Sequence, residues 1–341
     1  MDIRDVATLS GYSVGTVSRV LNGRPNVSDR ARERILAVME ECGYEPNSNA
    51  RFLKMRESSS VAAFVKGAGN RLFGDILEVM QAELAEAGEE VVATYLDEDA
   101  NEVQEALRYQ QIRHPKAMIF LGGEPEYFRT SFSRIGVPCV LVTNTADDLA
   151  LPNLSSVSID DVAAAREAIE HLWSFGHRRI GVLGGNRSAG QVSGKRLRGV
   201  EEALAAHGVA FDFERDHEPC HFSEEEGYDA VVNLCRRSPD LTAIFALGDV
   251  IAFGALRAIY DMGLTVPDDL SLVGFDGTAL SQFAVPRLTS VRQTPRHLAE
   301  RATKILLRSL AGGSGAVHEV VPYQLLKRES VRQIAPAPSA D

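Results

Sequence analysis

Residues 3–23 read IRDVATLSGYSVGTVSRVLNG, and the fold turns on how the GYSVG at positions 11–15 is understood. As Gly-x-Ser-x-Gly it matches the nucleophile elbow of hydrolases, where a serine sits on a strained strand-to-helix turn. That motif needs a buried strand ahead of the serine, in a sheet already built. Only ten residues precede Gly11, and Ile3, Val6, Ala7 and Leu9 recur among them with a helical rhythm. Gly11 interrupts that rhythm, Ser13 is a candidate N-cap, and Val14, Val17, Val20 and Leu21 form the inner stripe of a second short helix. A third helix follows, capped by Ser28, with Ala31, Ile35, Val38, Met39 and Cys42 facing inward and Gly43 and Pro46 ending it. Two short helices joined by a tight glycine turn, with a third closing the core, make a helix-turn-helix. The hydrolase match is then a coincidence of spelling.

This geometry leaves Ser13, Gly15, Thr16, Ser18 and Arg19 on the polar face of the second helix, free to enter a major groove. Arginine reads guanine bidentately, and hydroxyls serve bases or phosphates. The charge pattern agrees. The 341-residue chain carries 36 Lys and Arg against 47 Asp and Glu, a net charge of -11. Residues 1–56 nevertheless hold nine basic and seven acidic residues, leaving the acidic excess to the remaining 285. A basic module on an acidic body suits contact with a polyanion, which needs only local positive charge.

At this point the residues resemble a known family. IRDVATLSGYSVGTVSRVLNG followed by VSDRARERILAVMEECGYEPNSNARFLK is similar to the DNA-binding headpiece of LacI-type transcriptional regulators. The resemblance implies that Ser13, Val14, Gly15, Thr16 and Arg19 lie at or near base edges, and that Asn22 and Ser28 touch phosphate. Val14 and Gly15 depart from the larger or polar residues that relatives carry, which shifts discrimination onto Val14, against a thymine methyl, and Arg19. The segment EPNSNARFLKMRESSS is too short to be a stable helix alone. In the family it is a hinge helix that orders on operator DNA, which implies Leu53 as an apolar wedge in a minor-groove step, with Asn47 and Arg51 beside it.

From residue 60 onward, short apolar runs alternate with helical stretches. SVAAFVK, EVVATYL, AMIFLG and CVLVT form one set and RRIGVLGG, TAIFALGD and SLVGFDG a second, separated by a crossing near 155–162. Helices are expected near 73–87, 101–113, 161–175, 190–206, 224–236 and 250–262. Strands buried on both faces and spaced by helices indicate doubly wound parallel sheets, and two sets indicate two lobes. Ligands bind such sheets beyond the carboxyl ends of the strands, where Asp249 and Asp276 stand beside glycines. The fold class is therefore α/β, with a small all-α domain ahead of two parallel lobes: a headpiece over 1–46, a hinge and linker over 47–59, and an effector-binding and dimerisation domain over 60–330.

HLWSFGHRRIGVLGG, TAIFALGDVIAFGAL, VPDDLSLVGFDG and PRLTSVRQ are similar to the family's effector domain, which shares its fold with periplasmic sugar-binding proteins. Carried over by position, the resemblance implies Phe73, Asp160, Arg196, Phe222, Asp249 and Asp276 in the cleft between lobes. Carboxylates and a guanidinium suit vicinal hydroxyls, and aromatic faces cover a sugar ring. For Asp160 and Asp249 the alternative role is a helix N-cap, since each precedes a helix. Arg196→Ala is expected to weaken ligand binding with little effect on the fold. The first strand leads into KGAGNRLF without the proline that relatives often carry there.

Other chemistry finds no support. GNRSAGQ has two P-loop glycines, but Gln191 and Val192 stand where Lys and Ser/Thr are required. No G-x-G-x-x-G opens a helix after the first strand, so no dinucleotide cofactor is expected. Four scattered cysteines lack a C-x-x-C spacing, and eight histidines show no H-E-x-x-H, so no metal and no cofactor are expected. No catalytic residue is assigned. Without a signal-like start or an eighteen-residue apolar run, the expected setting is cytoplasmic, with no membrane partner. The tail QIAPAPSAD has no leucine heptads, which favours a homodimer over a coiled-coil tetramer. The expected function is an allosteric, sequence-specific regulator, a repressor binding double-stranded operator DNA and a small sugar-like effector. The rivals are a transport-type sugar-binding protein, which would need a signal peptide and no headpiece, and a sugar- or nucleotide-acting enzyme, which would need paired catalytic carboxylates.

Overall fold

In the computed structural model the chain divides into two units, residues 1–58 and 59–341. The structure describes residues 3–21, 27–42, 60–67, 69–187 and 190–334. The proposed hinge helix, with Asn47, Arg51 and Leu53, and the phosphate-contact candidate Asn22 lie outside them.

The first unit holds α1 (Ile3–Ser10), α2 (Val14–Leu21) and α3 (Asp29–Glu41). Gly11 takes φ +77, the left-handed conformation that lets α1 stop and α2 start three residues later, at Val14. Ser13 Oγ accepts a hydrogen bond from the Thr16 amide at 3.2 Å, capping α2 as expected. Val6, Ala7, Val17, Val20, Ile35, Val38 and Met39 close a small core, with Tyr12, Val27 and Cys42 packed on it. Ser13 lies outside any sheet, which removes the elbow reading.

Two lobes make up the second unit. The N-lobe sheet contains β1 (Val61–Lys66), β2 (Val91–Leu96), β3 (Ala117–Leu121), β4 (Cys139–Val142), β5 (Leu154–Ser158) and, late in the chain, β11 (His318–Val320), in the order β11-β5-β4-β3-β1-β2. Around it lie α4 (Arg71–Glu86), α5 (Glu102–Arg113) and α6 (Pro125–Ser131). The C-lobe sheet contains β6 (Ile180–Leu183), β7 (His217–Glu218), β8 (Ala243–Ala246), β9 (Ser271–Asp276), β10 (Thr289–Arg292) and β12 (Gln324–Leu326), in the order β12-β10-β9-β8-β6-β7. Its helices are α7 (Asp161–Ser174), α8 (Val192–Ala206), α9 (Phe213–Asp216), α10 (Glu224–Arg237) and α11 (Asp249–Asp261). Every pairing is parallel except β10 with β12. Leaving aside β11 and β12, both sheets follow the same doubly wound order, with a switch point between β1 and β3 and another between β6 and β8.

The single crossing expected near 155–162 is one of three. The chain passes to the C-lobe after β5. It returns through Gln293 and Thr294 into α12 (Pro295–Leu310), which packs on α4, β4 and β5. It crosses again between β11 and β12. Residues 155–158, the first half of the expected crossing, belong to the fully buried strand β5 instead. Ser155 and Ser156 can replace the apolar residues of a central strand because both have partners: Ser155 Oγ accepts the Val317 amide, and Ser156 Oγ sits 2.8 Å from His318 Nδ1.

Candidate functional site

In the first unit, the second helix turns Val17 and Val20 inward and leaves Ser13, Val14, Gly15 and Arg19 exposed, with Thr16 half-buried. Arg19 makes no hydrogen bond or ion pair among the described residues, so its guanidinium is available. A Cβ placed on Gly15 would meet only Ser13 Oγ, at 3.8 Å. Ser28 is exposed and its Oγ accepts the Ala31 amide at 3.4 Å, the cap of α3.

In the second unit, a cleft of about 330 Å³ opens between the lobes, within the usual range for small-molecule sites, roughly 300–1,000 Å³. It lies at the carboxyl ends of β1, β3 and β4 on one side and of β6, β7, β9 and β10 on the other, as doubly wound sheets dictate. Each lobe contributes an aromatic wall. Phe73, near the start of α4, lies against Gly122, where a Cβ would come within 2.8 Å of the ring and φ is +78. Phe222 covers Gly248 in the same way, 2.8 Å from where a Cβ would stand. Both aromatics therefore line the cleft, and both depend on a glycine that the sequence reading did not single out.

Arg196, on α8, is buried beneath the cleft with its Nε 2.8 Å from Asp161 Oδ1 and its Nη1 donating to the Leu247 carbonyl at 2.5 Å. Its guanidinium carbon lies 3.6 Å over the Phe275 ring, and its Nη1 is 4.0 Å from Asp276 Oδ1. Asp276 closes β9 at φ +107, a backbone conformation costly for any side chain but glycine, which aims its carboxylate into the cleft. Gln293 donates its Nε2 to Asp276 Oδ1 at 2.7 Å, while its buried Oε1 has no partner. Burial pushes the Asp276 carboxyl up to about 7, against the pull of Arg196.

Two expected residues stand elsewhere. Asp160 is exposed and caps α7, accepting the Ala163 amide at 2.9 Å; the aspartate that reaches Arg196 is its neighbour Asp161. Asp249 is fully buried behind the cleft. It accepts the Thr278 amide at 2.7 Å, the Thr278 hydroxyl at 2.8 Å and the Ser290 hydroxyl at 2.5 Å, and so ties down the turn after Asp276. Burial lifts its carboxyl to about 6. It positions the site rather than lining it.

Polar contacts join the lobes around the cleft. Glu98 accepts the Phe222 amide at 2.9 Å, His221 Nε2 lies 3.2 Å from Asp99, Gln191 donates to Glu124 at 3.0 Å, and Lys195 donates to Asn144 at 2.6 Å. At the floor, Lys66 pairs with buried Glu102 at 3.2 Å. None of these residues was assigned from the sequence, because each gains meaning only when two distant strand ends meet. No group of His, Cys, Asp and Glu among the described residues could hold a metal ion.

The family model described as bacterial regulatory proteins, lacI family, matches residues 2–47, and a periplasmic binding protein-like domain matches residues 169–331. The HTH-type transcriptional regulator MalR of Clostridium butyricum is 32% identical, covering 97% of this chain and 99% of its own. The chain belongs to the LacI family of bacterial regulatory proteins. Another LacI-family relative, the HTH-type transcriptional regulator CelR of Thermobifida fusca, is 33% identical over 95% of this chain and 96% of its own. Among solved structures, a lac repressor dimer bound to operator and the anti-inducer ONPF matches with a TM-score of 0.74 at 25% identity, covering 97% of this chain and 99% of that one. A CelR-cellobiose complex matches with a TM-score of 0.69 at 29% identity, with the same coverage. These relatives are named as transcriptional regulators rather than enzymes, and this LacI-family chain is a transcriptional regulator. No described helix is long and apolar enough to cross a membrane.

Proposed function

We propose that this LacI-family regulator is a homodimeric repressor, working in the cytoplasm, that binds a near-palindromic operator through its headpieces and is controlled by a sugar or sugar derivative held between its lobes. The observation that carries the reading is the presence in one chain of a solvent-facing helix surface, Ser13, Val14, Gly15, Arg19 and the half-buried Thr16, and a cleft walled by Phe73 and Phe222 and floored by Arg196 and Asp276. Asn22, Ser28, Asn47 and Arg51 are proposed contacts to the DNA around that face, and Leu53 the minor-groove wedge. Relatives support the ligand class: solved neighbours include a regulator with cellobiose and one with bound ribose. Support for a dimer comes from Leu280, Phe283 and Val285, which expose apolar side chains in the segment between β9 and β10.

Control by ligand requires unequal affinity for two arrangements of the lobes, because a ligand that binds both equally shifts nothing. The test is operator selection from random duplex with the full-length protein, followed by titration with ligands found by calorimetry. Selection of a twofold-symmetric site whose affinity changes on ligand addition is expected. Failure to enrich any sequence, or salt-independent binding to duplex, would remove the regulator's DNA reading.

A further inference from the structure

The charges on the cleft wall restrict what can enter it. Among the described residues, the full cations facing the cleft are Lys66 and Arg196, and each already has a carboxylate behind it. Lys66 Nζ is 3.2 Å from Glu102 and Arg196 Nε is 2.8 Å from Asp161, with all four side chains buried. His221 lies between Glu226 at 2.7 Å and Asp99 at 3.2 Å, so any positive charge it carries is also answered. Against these stand Glu98, Asp99, Glu124, Glu226 and Asp276 on the wall itself.

Hydrogen-bonding capacity is skewed the same way. Gln293 is 1% exposed; its Nε2 is committed to Asp276, which leaves its Oε1 as a buried acceptor with no donor. Asp276 Oδ2 receives no hydrogen bond from a described residue. An unpaired buried acceptor is costly, and a ligand that donates hydrogens relieves that cost on binding. The starts of α4 and α8 each offer the cleft the partial positive charge of a helix end, about half a unit, which does not turn the wall cationic against Glu98, Glu124 and Asp276, with Asp99 and Glu226 answering His221.

We propose that the cleft selects an uncharged, hydroxyl-rich ligand and rejects the phosphorylated or carboxylated form of the same sugar. The inference rests on the reading of the cleft as a sugar site and narrows it. An anion brought in would meet like charge on several sides and no unanswered cation, and such juxtaposition weakens binding strongly. A neutral sugar donates hydroxyl hydrogens to Asp276 and Gln293, accepts from Arg196, and lays its apolar face on Phe73 or Phe222.

The experiment is calorimetry on the full-length protein with matched pairs: aldoses, ketoses and disaccharides, each beside its sugar phosphate or uronate. The expected result is a neutral member that binds and a charged partner at least about tenfold weaker, with the gap narrowing as salt rises and in an E98Q/D99N variant. A phosphate or uronate that binds as tightly as its neutral partner, or a gap indifferent to salt, overturns the proposal while leaving the sugar site standing. Binding of no member of either set overturns the sugar reading itself and takes this inference with it.

Discussion

Arg196 Nε lies 2.8 Å from Asp161 Oδ1, with both side chains almost sealed from solvent. The sequence alone makes Arg196→Ala a clean test of ligand binding, but this pair makes it a test of folding too. Removing the guanidinium strands Asp161, whose carboxyl burial already pushes up, beside Asp276. Breaking a buried pair from one side costs about 3–5 kcal/mol. The expected outcome is a lower denaturation midpoint for Arg196→Ala, partly recovered in an Arg196→Ala/Asp161→Asn double variant. An unchanged midpoint would show the pair to be of no structural weight.

Asp276→Asn is the better probe of the ligand. The amide keeps the size and one acceptor but loses the charge that receives hydroxyl hydrogens, and a charge-assisted hydrogen bond is worth about 1.5–3 kcal/mol. Affinity for the neutral ligand should fall roughly ten- to a hundredfold by calorimetry. Asp249→Asn, by contrast, presents an amide to Thr278 and Ser290 where three donors now converge, so its first effect should be on thermal stability.

Gly122→Ala should damage the Phe73 wall. The added Cβ would stand 2.8 Å from the ring at a φ of +78, so the backbone and the aromatic are strained together. Weaker ligand binding with a lowered midpoint is the expected result. Gly248→Ala has no such backbone penalty and should act by tilting Phe222 alone, weakening binding at near-normal stability.

The mouth of the cleft should respond to pH through His221. Its hydrogen bond to Glu226, helped by the carboxylates of Glu98 and Asp99, raises its pKa above the ordinary imidazole value. A raised folded pKa means the attraction across the mouth is fully present below about 6.5, the unperturbed value, and is lost as pH rises through the folded value. Because Asp276 ionises near pH 7 and works in the other direction, the ratio of the wild-type affinity to that of His221→Gln is the quantity that should decline from pH 6 toward pH 8.5. A ratio that rises or stays constant over that range would exclude His221 from closure.

Arg19→Ala should weaken operator binding by about 1–3 kcal/mol if the side chain reads a base, with little change in the headpiece midpoint, since Arg19 is exposed and makes no hydrogen bond or ion pair among the described residues. Gly15→Ala should stabilise the headpiece by up to about 1 kcal/mol, because the position is open and helical. Filter binding and thermal unfolding separate the two effects.

The lobes and headpiece were legible because their signals are local. Val6, Val17 and Ile35 announce helices by spacing, and runs such as VAAFVK announce buried parallel strands. What sequence reading missed depends on partners far along the chain. Ser155 and Ser156 look like a linker until β11 arrives from residue 318 to satisfy them. In Asp160-Asp161, spacing cannot tell which residue caps and which turns inward; the α7 start decides it. Gln293 is polar, solitary and unremarkable until the β10 end is set beside Asp276. Helix α12 has clear amphipathic spacing from Pro295 to Leu310 and was readable, though absent from the expected elements.

The shared strand order of the two sheets carries one last consequence. Since each half supplies its own strand ends and its own aromatic, neither can grip a guest alone, and occupancy is inseparable from apposition. A molecule held here is at once cargo and clasp, and the gap between its hold on the apposed halves and its hold on the parted ones, rather than its tightness, sets how far it can bend the molecule's choice of shape.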